Sequence, residues 1–452
     1  MGVYLLLLVG ATTAVTDAAS ACTAWPVCGD GWTLPGTTSG LLAVGHRIAA
    51  VVVGFLVVAV AALAWREQAS IRVRLALTAS LALYPVQAGL GALVATTAES
   101  TLLSAAHLVF GMGIFGGLVA ALAWTLEIAT GTPDEDAPGP DSIDDEDVED
   151  ANRGPTPTVP DGTLARTKAT AKAYFRLMKP RLMWLLCLVA TAGMALAAGP
   201  DLPLRTALAT LGGGVLSIGA SGTFNHVFER DIDRRMSRTS DRPLAVDLVS
   251  VRNALAFGVL LAVGSLALFA SVNLLVAALG LAAIVYYSVV YTLVLKPNTV
   301  QNTVIGGGAG ALPALIGWAA VTGEIGLGGV AIAAVIFLWT PAHFYNLALA
   351  YKDDYAAGGF PMMPVVRGET ETRKHILWWL GATLVAAGSL ALADGLDWVY
   401  VLTSVVFGAV FLYTVVRLHY EQTESAAFRA FHASNAYLGA VLLAVVVDAI
   451  AL

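Results

Sequence analysis

The chain is 452 residues long, 57% hydrophobic and only 13% charged, with a formal net charge of −7 at pH 7. Soluble globular domains are about 45–50% apolar and about 25% charged, so this composition excludes that class and indicates a multi-pass membrane protein. The acidic balance also argues against a nucleic-acid partner, which would need a basic surface. We therefore expect a protein of the cell membrane in contact with the lipid bilayer.

Apolar runs long enough to cross the membrane, which takes about 20 residues, fall into two groups. Four predicted helices lie near 3–19, 41–64, 75–95 and 102–129. Nine more lie near 183–198, 206–226, 251–271, 274–295, 301–320, 327–349, 375–393, 398–416 and 430–452. The predicted fold class is all-α, with a four-helix bundle (1–130), a linker (131–172) and a nine-helix bundle (173–452). We interpret the first run as a retained helix rather than a cleaved signal peptide, because no basic residues precede it.

Loop charges predict the orientation of these helices. Basic turns such as Arg66–Arg74 and Arg230–Arg252 belong in the cytoplasm, and alternating spans then put Lys352–Lys374 on the same side. The linker carries the run DEDAPGPDSIDDEDVED at 134–150, which predicts a disordered, solvated tether. The linker and both acidic motifs described below are therefore expected to be cytoplasmic.

Two histidines are the main polar feature of the first four helices. His46 and His107 each lie a little over one turn into a predicted span that enters from the outer side, so they share a depth. Two imidazoles at one depth in a four-helix bundle predict ligation of heme b from both faces. Gly45, Gly111 and Gly113 would leave room for the macrocycle. The alternative for each histidine is an ordinary polar residue with a hydrogen-bond partner.

The outer loop after the first helix contains Cys22 and Cys28 in the segment CTAWPVC. An exported cysteine pair this close in sequence predicts a disulfide or a redox pair. Cys187 lies within a predicted span, where a small apolar packing role is expected.

The first acidic motif, NHVFERDIDRRMSRTSDRPL, follows a predicted span. Asn225, Glu229 and Asp233 recur at intervals of four, which places them on one helical face at about 3.6 residues per turn. Mg²⁺ prefers such oxygen ligands together with phosphate oxygens. Nearby arginines offer donors for phosphate: Arg230, Arg234, Arg235, Arg238 and Arg242. The alternative is a basic loop whose acids pair with its own arginines.

The second acidic motif, AYKDDYAAGGFPMMPVV, follows a later span on the same side of the membrane. Asp353 and Asp354, flanked by Lys352, predict a second cation site, so that two metals would share one diphosphate. We expect Asn225, Glu229, Asp233 and Asp354 to be metal ligands, with Asp353 also catalytic. We expect the diphosphate to contact Arg235, Arg238, Arg242, Lys296 and Lys352. For Lys296, snorkelling at the interface is the alternative.

Two sets of polar residues lie inside predicted spans of the second group. Tyr286, Tyr287 and Tyr291 could stabilise an allylic cation with their ring faces, although packing is the usual role of such a stripe. His343 follows Pro341 and needs a polar partner in an apolar environment. It is expected either to contact a porphyrin substrate or to bond a backbone carbonyl freed by Pro341.

Together with YTLVLKPNTVQNTVIGGGAGALPALIGW, WTPAHFYNLALAYKDDY and GGFPMMPVV, the first motif resembles UbiA-type intramembrane prenyltransferases and, within them, the heme O synthases. The resemblance runs from about Ala173 to the end of the chain. Glu229 departs from the pattern, since many members have Asp there. The resemblance implies a nine-helix bundle with a central cavity. It implies transfer of farnesyl from farnesyl diphosphate to a vinyl group of heme b, giving heme O for terminal oxidases. It also places His343 in a motif of the heme-modifying branch.

Residues 3–129 resemble half of a heme A synthase through the segments around Cys22, His46 and His107. One half is missing, and Ala43 stands where that family has an acidic residue. The resemblance therefore implies heme binding, delivery of heme, or pairing with a second copy or a heme A synthase.

Two other functions fit parts of the sequence. A prenyltransferase for an aromatic quinone precursor would use the same acidic motifs with a different acceptor. A membrane cytochrome would use a heme between His46 and His107, but it would leave both acidic motifs unexplained.

Overall fold

The structure is a computed structural model that describes residues 1–15, 21–22, 24–28, 35–97, 101–131, 163–392 and 396–451. Most of the predicted linker, residues 132–162, lies outside the described residues. The described residues form helices and turns without a strand, which confirms the all-α prediction.

The first group of helices begins with a short apolar helix and continues with three long ones. They are α1 (Gly2–Val15), α2 (Thr38–Arg66), α3 (Ile71–Thr96) and α4 (Thr101–Thr130). Hydroxyl side chains cap two of them, because Thr37 accepts from the Gly40 N–H and Ser70 accepts from the Val73 N–H. Pro85 lies inside α3.

A short helix, α5 (Thr163–Leu177), precedes the second group. This corrects the predicted boundary, since residues 163–172 were assigned to the disordered linker; Ala173 and Leu177 anchor the helix by burial against Leu244 and Ala254. The remaining long helices are α6 (Pro180–Ala198), α7 (Leu204–Phe228), α8 (Val251–Ala270), α9 (Leu274–Val285), α10 (Asn302–Thr322), α11 (Leu327–Ala350), α12 (Gly368–Leu390), α13 (Trp398–Glu421) and α14 (Glu424–Ala451).

Eleven described helices are long and apolar enough to cross a membrane, so the chain is a multi-pass membrane protein. Two predicted spans differ from the rest. The apolar part of α1 is short, and α12 begins with Glu369, Glu371, Arg373 and Lys374. Arg373 and Lys374 are nevertheless buried, and they pair with the partly exposed Glu369 and Glu371. A helix that is polar at one end is stable here because protein, rather than lipid, surrounds that end.

Helix α9 continues as a π-helix over Tyr286–Leu295. The Thr292 hydroxyl donates to the Tyr287 carbonyl, five residues earlier, at 2.8 Å. A π-helix shifts the side chains that follow it around the helix axis, and such segments occur often at functional sites. Here it lies directly before Lys296.

The two groups of helices are not separate bundles, as the linker suggested, but share one hydrophobic core. Helices α1 and α4 pack against α12 and α13. The Tyr4 hydroxyl lies 2.6 Å from the Ser404 hydroxyl, and the Lys374 ammonium lies 2.6 Å from a Glu127 carboxylate oxygen. Helices α1 and α4 therefore stabilise α12 and α13 of the second group.

Candidate functional site

The first acidic motif forms a buried polar cluster where α7 ends. Asn225, Glu229 and Asp233 are 2%, 4% and 2% exposed. The helix breaks at Glu229 and restarts as one turn over Arg230–Asp233, so the three residues do not follow one continuous helix as the spacing predicted. Their side chains still converge, because the backbone of Asp233 bonds back to the Glu229 carbonyl at 2.7 Å.

Basic side chains from three separate elements point at these oxygens. Lys296 donates to Glu229 Oε1 at 2.6 Å, and Arg242 donates to both oxygens of Asp233 at 2.7 and 2.9 Å. The same Arg242 nitrogen lies 3.8 Å from Glu229 Oε2. Both carboxylates are therefore within reach of one guanidinium, and diphosphate binding by Arg242 and Lys296 stays a prediction.

Lys179 completes the cluster, although the sequence analysis did not identify it as a site residue. Its ammonium bonds the Asn225 side-chain oxygen and lies 3.2 Å from the Tyr287 hydroxyl. The backbone of Lys179 is left-handed, with φ 54°, directly before Pro180. A left-handed conformation disfavours a residue with a long side chain and is compensated by surrounding contacts at functional sites. A lysine before proline at the start of a span was the available signal.

The cluster perturbs the charges it contains. Burial, reinforced by the Arg242 guanidinium, lowers the pKa of the Lys179 ammonium to about 7. Burial alone would raise the pKa of Glu229, but Lys296 and Lys179 reverse that effect and hold the pKa below its usual value. For Asp233, burial prevails and the pKa is raised despite Arg242. Three cations against two carboxylates make the cluster suited to an additional anion.

The second acidic motif acts differently. Asp354 Oδ1 accepts from the Ser237 hydroxyl at 2.6 Å and the Ser237 N–H at 3.1 Å, and Oδ2 accepts from the Arg238 N–H at 3.0 Å. Its carboxylate thus holds the loop at Ser237 and Arg238 within the first motif. Asp353 is exposed and lines a polar cavity of about 430 Å³ next to Ser237 and Glu369.

Aromatic residues connect the two motifs. The Arg238 guanidinium lies over the rings of Tyr351 and Tyr355, at 4.7 and 5.1 Å, and the Lys296 ammonium lies 4.1 Å from the Phe360 ring centre. The structure therefore brings the two motifs together through Arg238 and Lys296, and a metal site shared by their carboxylates stays a prediction.

The other predicted phosphate-binding residues lie outside this cluster. Lys352 pairs with Glu369 at 3.1 Å and lines the 430 Å³ cavity. Arg235 is exposed. Arg230 and Arg234 pair with Asp231 and Asp247, as the alternative reading of a self-paired basic loop predicted.

Two of the three predicted tyrosines are near the cluster. Tyr287 contacts Lys179, and its ring lies 5.6 Å from that of Tyr291. Tyr286 instead donates to the Ile305 carbonyl at 2.7 Å, which is a packing role.

His343 lies deeper, in an aromatic stack between α11 and α14. Its ring lies between those of Trp339 and Phe431, with centroid distances of 4.2 and 4.3 Å. Its Nδ1 is 2.6 Å from the Ser434 hydroxyl, so a serine occupies the place that the sequence analysis gave to a backbone carbonyl. His226, which was not assigned from sequence, lies 4.0 Å from Asp233.

Glycines lie close against the rings of both amino-terminal histidines. A Cβ added at Gly10 would lie 3.4 Å from the His46 ring, and one added at Gly91 would lie 3.0 Å from the His107 ring. Gln87 Nε2 is 3.4 Å from His107 Nε2. Within the described residues, Nδ1 of each histidine is buried without a hydrogen-bond partner.

The predicted glycines next to these histidines differ in their surroundings. A Cβ at Gly45 would meet no neighbour within 4 Å, whereas one at Gly111 would meet Leu7 and Gln87 at 2.7 and 3.0 Å, and one at Gly113 would meet Leu83 at 3.7 Å. Gly45 therefore borders open space, Gly113 lies at ordinary contact distance from Leu83, and Gly111 allows close packing.

The outer loop is tied to the same region. Cys22 and Cys28 form a disulfide, and Cys187 is a free cysteine. The Arg47 guanidinium, next to His46, donates to the carbonyls of Cys22, Ala24, Pro26 and Val27 at 2.8–3.2 Å.

Comparisons with known proteins place the chain in a family. The model of the UbiA prenyltransferase family matches residues 186–438. The protoheme IX farnesyltransferase of Haloarcula marismortui is 65% identical, covering 100% of this chain and 97% of that protein. That of Haloquadratum walsbyi is 63% identical, covering 99% of this chain and 94% of that protein. Protoheme IX farnesyltransferase 1 of Saccharopolyspora erythraea is 43% identical, and its alignment covers 66% of this chain and 94% of that protein.

Two solved structures each match a little under two thirds of this chain. A structure of digeranylgeranylglyceryl phosphate synthase covers 63% of this chain and 99% of its own, with a TM-score of 0.53 and 16% identity, which shows the fold alone. A UbiA homologue from Archaeoglobus fulgidus bound to GPP and Mg²⁺ covers 61% and 99%, with a TM-score of 0.46 and 19% identity. With its family model matched over more than half of its length, and relatives this similar across the whole of it, the chain belongs to the UbiA prenyltransferase family.

Proposed function

We propose that this protein transfers the farnesyl group of farnesyl diphosphate to a vinyl group of heme b, giving heme O and diphosphate. The observation that carries the proposal is the buried cluster of Lys179, Lys296 and Arg242 around Glu229 and Asp233. The acceptor follows from the relatives, which are named protoheme IX farnesyltransferases and are 63–65% identical across nearly the whole chain.

The donor chemistry of the cluster fits Mg²⁺. Among the described residues, no three His, Cys, Asp or Glu side chains converge on a metal position. Mg²⁺, however, is commonly held by one or two carboxylates together with substrate phosphates. Asn225, Glu229 and Asp233 would hold it, and it would neutralise the charge that develops on departing diphosphate. Asp354 stays a predicted ligand, although its oxygens already accept loop hydrogen bonds.

The chain's own cations bind and orient the diphosphate. Lys296, Arg242 and Lys179 pair with side-chain oxygens in this structure, so they can exchange those partners for phosphate oxygens without entering a new environment. As the allylic C–O bond breaks, diphosphate leaves with the electron pair. Preorganised cations stabilise this charge at little reorganisation cost. Tyr287 and Tyr291 present ring faces next to the cluster for the farnesyl cation.

The acceptor step forms a carbon–carbon bond. The terminal carbon of a heme vinyl group attacks C1 of the farnesyl group, which leaves a cation on the adjacent carbon. Water adds there and loses one proton, and the product is a hydroxyethylfarnesyl side chain. His343 is the residue that we assign to the porphyrin, since it is a buried polar ring among apolar helices. The acceptor site must exclude water until the carbon–carbon bond has formed.

We further propose that the amino-terminal helices bind heme b between His46 and His107. The support is the pair of buried, unpartnered ring nitrogens and the glycines that lie close against both rings, where a side chain would crowd them. Bound heme b would supply a store of substrate close to the transferase helices. The orientation follows the loop charges and places both acidic motifs in the cytoplasm.

The test is incubation of the purified protein with heme b, farnesyl diphosphate and Mg²⁺, with products identified by mass. We expect heme O, and no product after chelation of the metal. Prenylation of an aromatic quinone precursor in place of heme would reject the proposed acceptor. For the heme store, His46→Ala and His107→Ala should each remove a low-spin heme spectrum that the control variant His375→Ala retains.

A further inference from the structure

We infer that Ser434 is a positioning residue that fixes the tautomer of His343, so that Nε2 presents its lone pair to the iron of the porphyrin acceptor. The inference rests on the proposed function, because it assumes that His343 faces heme. It adds that Nε2 is the atom of His343 that contacts the iron and that Ser434 is the residue that fixes the tautomer.

Aromatic rings surround His343, including Phe344, which lies perpendicular to the imidazole at a centroid distance of 5.1 Å. Trp339 and Phe431 lie nearly parallel to the imidazole, at 14° and 24°, and therefore cover its two faces. Nδ1 is occupied by Ser434. Imidazole binds a metal through the lone pair in the ring plane, and Nε2 is the ring nitrogen that remains for it.

The hydrogen bonds of Ser434 decide which nitrogen carries the proton. Its hydroxyl has a single proton, and it donates that proton to the Phe431 carbonyl at 2.7 Å. The hydroxyl oxygen can then only accept from His343, so Nδ1 carries the hydrogen and donates at 2.6 Å.

The opposite tautomer is less favourable. It would break the bond to the Phe431 carbonyl and leave an Nε2–H that has no acceptor among the described residues. With Nδ1 protonated, both hydrogen bonds form and Nε2 keeps a free lone pair.

The position of Ser434 is itself rigid. Ser434 is fully buried on α14, and its backbone carbonyl accepts from the Trp339 indole N–H at 3.0 Å. The residue thus contacts both the histidine and one of the rings that cover it. In metal-binding histidines, the group that is hydrogen-bonded to the other ring nitrogen acts in this way, since it fixes the orientation and tautomer of the ring.

The test compares heme b with iron-free protoporphyrin IX, which has the same vinyl groups. The wild-type protein should show a KM for heme b about tenfold below its KM for protoporphyrin IX, because only heme offers iron to Nε2. Ser434→Ala should raise the KM for heme b about tenfold. It should leave the KM values for protoporphyrin IX and farnesyl diphosphate unchanged.

The matched control is Ser265→Ala, because Ser265 is also fully buried and its hydroxyl donates to a carbonyl, that of Gly213, at 2.7 Å. This variant should keep the preference for heme. A spectroscopic measurement uses a chain that carries both His46→Ala and His107→Ala, so that no heme binds between those residues. In that chain, replacement of Ser434 should shift the Soret band of added heme b. Ser434→Cys, nearly isosteric and a weak hydrogen-bonding group, replaces Ser434→Ala if that variant does not fold.

The outcomes separate the two hypotheses. Absence of heme O from the wild-type protein would overturn the proposed function. Farnesylation of heme b and protoporphyrin IX with equal KM, or a preference and Soret band unchanged by Ser434→Ala and Ser434→Cys, would leave the function intact and overturn the role of Ser434.

Discussion

The two acidic motifs use the same side-chain type for different tasks. In the first, Glu229 and Asp233 are buried and contact the charged ends of Lys296 and Arg242. In the second, Asp354 is partly exposed and contacts the backbone and hydroxyl of the loop at Ser237 and Arg238. The difference teaches that an acidic pair at a membrane surface does not identify a metal ligand until the partners of its oxygens are known.

This comparison divides the predicted site residues into two classes. Contacts between opposite charges in a buried site respond strongly to loss of one partner, because the other charge is left unpaired. A carboxylate that accepts backbone hydrogen bonds contributes to the shape and stability of a loop. Substitutions in the first motif should therefore reduce catalysis, and those in the second should first reduce stability.

The largest effect is expected for Asp233→Ala. It removes an oxygen donor and leaves Arg242 without its carboxylate, so kcat/KM for heme O formation should fall about 10³-fold. The control is Asp231→Ala two residues earlier, whose carboxylate is exposed and pairs with Arg230 and Arg234. Rates measured by product mass should stay within about twofold for the control. Equal losses in both variants would contradict the special role of the buried cluster.

The next effect is expected for Lys296→Met, which should lower kcat/KM about 10²-fold, because Glu229 loses its ammonium partner and the diphosphate loses a contact. Lys352→Met is the matched variant. Its ammonium pairs with Glu369 at 3.1 Å, away from the first motif, and the effect should be below about threefold. A larger loss for Lys352→Met would restore Lys352 as a diphosphate ligand.

A smaller effect is expected for Asp354→Ala, which removes three hydrogen bonds to the loop at Ser237 and Arg238. We expect a loss of about 1–3 kcal/mol in the free energy of unfolding and about a tenfold loss of activity. Asp354→Asn keeps one acceptor oxygen and should be intermediate in both measurements. If Asp354 binds metal instead, Asp354→Asn should be as inactive as Asp354→Ala while the stability of both variants stays normal.

The smallest effect is expected for Ser237→Ala, which removes the hydroxyl bond to Asp354 and leaves both backbone bonds. Unfolding in detergent should show a loss of about 0.5–1.5 kcal/mol, with activity within about threefold. Ser240→Ala, which loses a longer 3.3 Å bond to the Ser237 carbonyl, is the control. In a double-mutant cycle, Ser237→Ala should add little to Asp354→Ala, since both remove the same bond.

Much of the fold was predictable because apolar runs of membrane length are a strong local signal. The all-α class, the multi-pass character and the prenyltransferase class are confirmed. Helix α5 was not predicted, because its alanines and basic residues do not form a long apolar run. The packing of α1 and α4 on α12 and α13 was also not predictable, since no local pattern encodes contacts between distant helices.

The candidate site was predictable where its residues recur in one segment. Asn225, Glu229 and Asp233 do converge, although the helix breaks between them. Lys179 was missed because it reaches Asn225 across 46 positions of sequence. Ser434 was missed for the same reason, since it lies 91 positions from His343. The assignments to metal and diphosphate stay predictions until the variants above are measured.

The bond between Tyr4 and Ser404 joins residues 400 positions apart. The first helix is synthesised 400 positions before this partner. During that interval α1 remains in the lipid or with the insertion machinery, with the surface that packs on α13 uncovered. Docking of α1 therefore waits for the synthesis of α13, and products terminated before α13 would expose a surface that quality-control proteases can recognise.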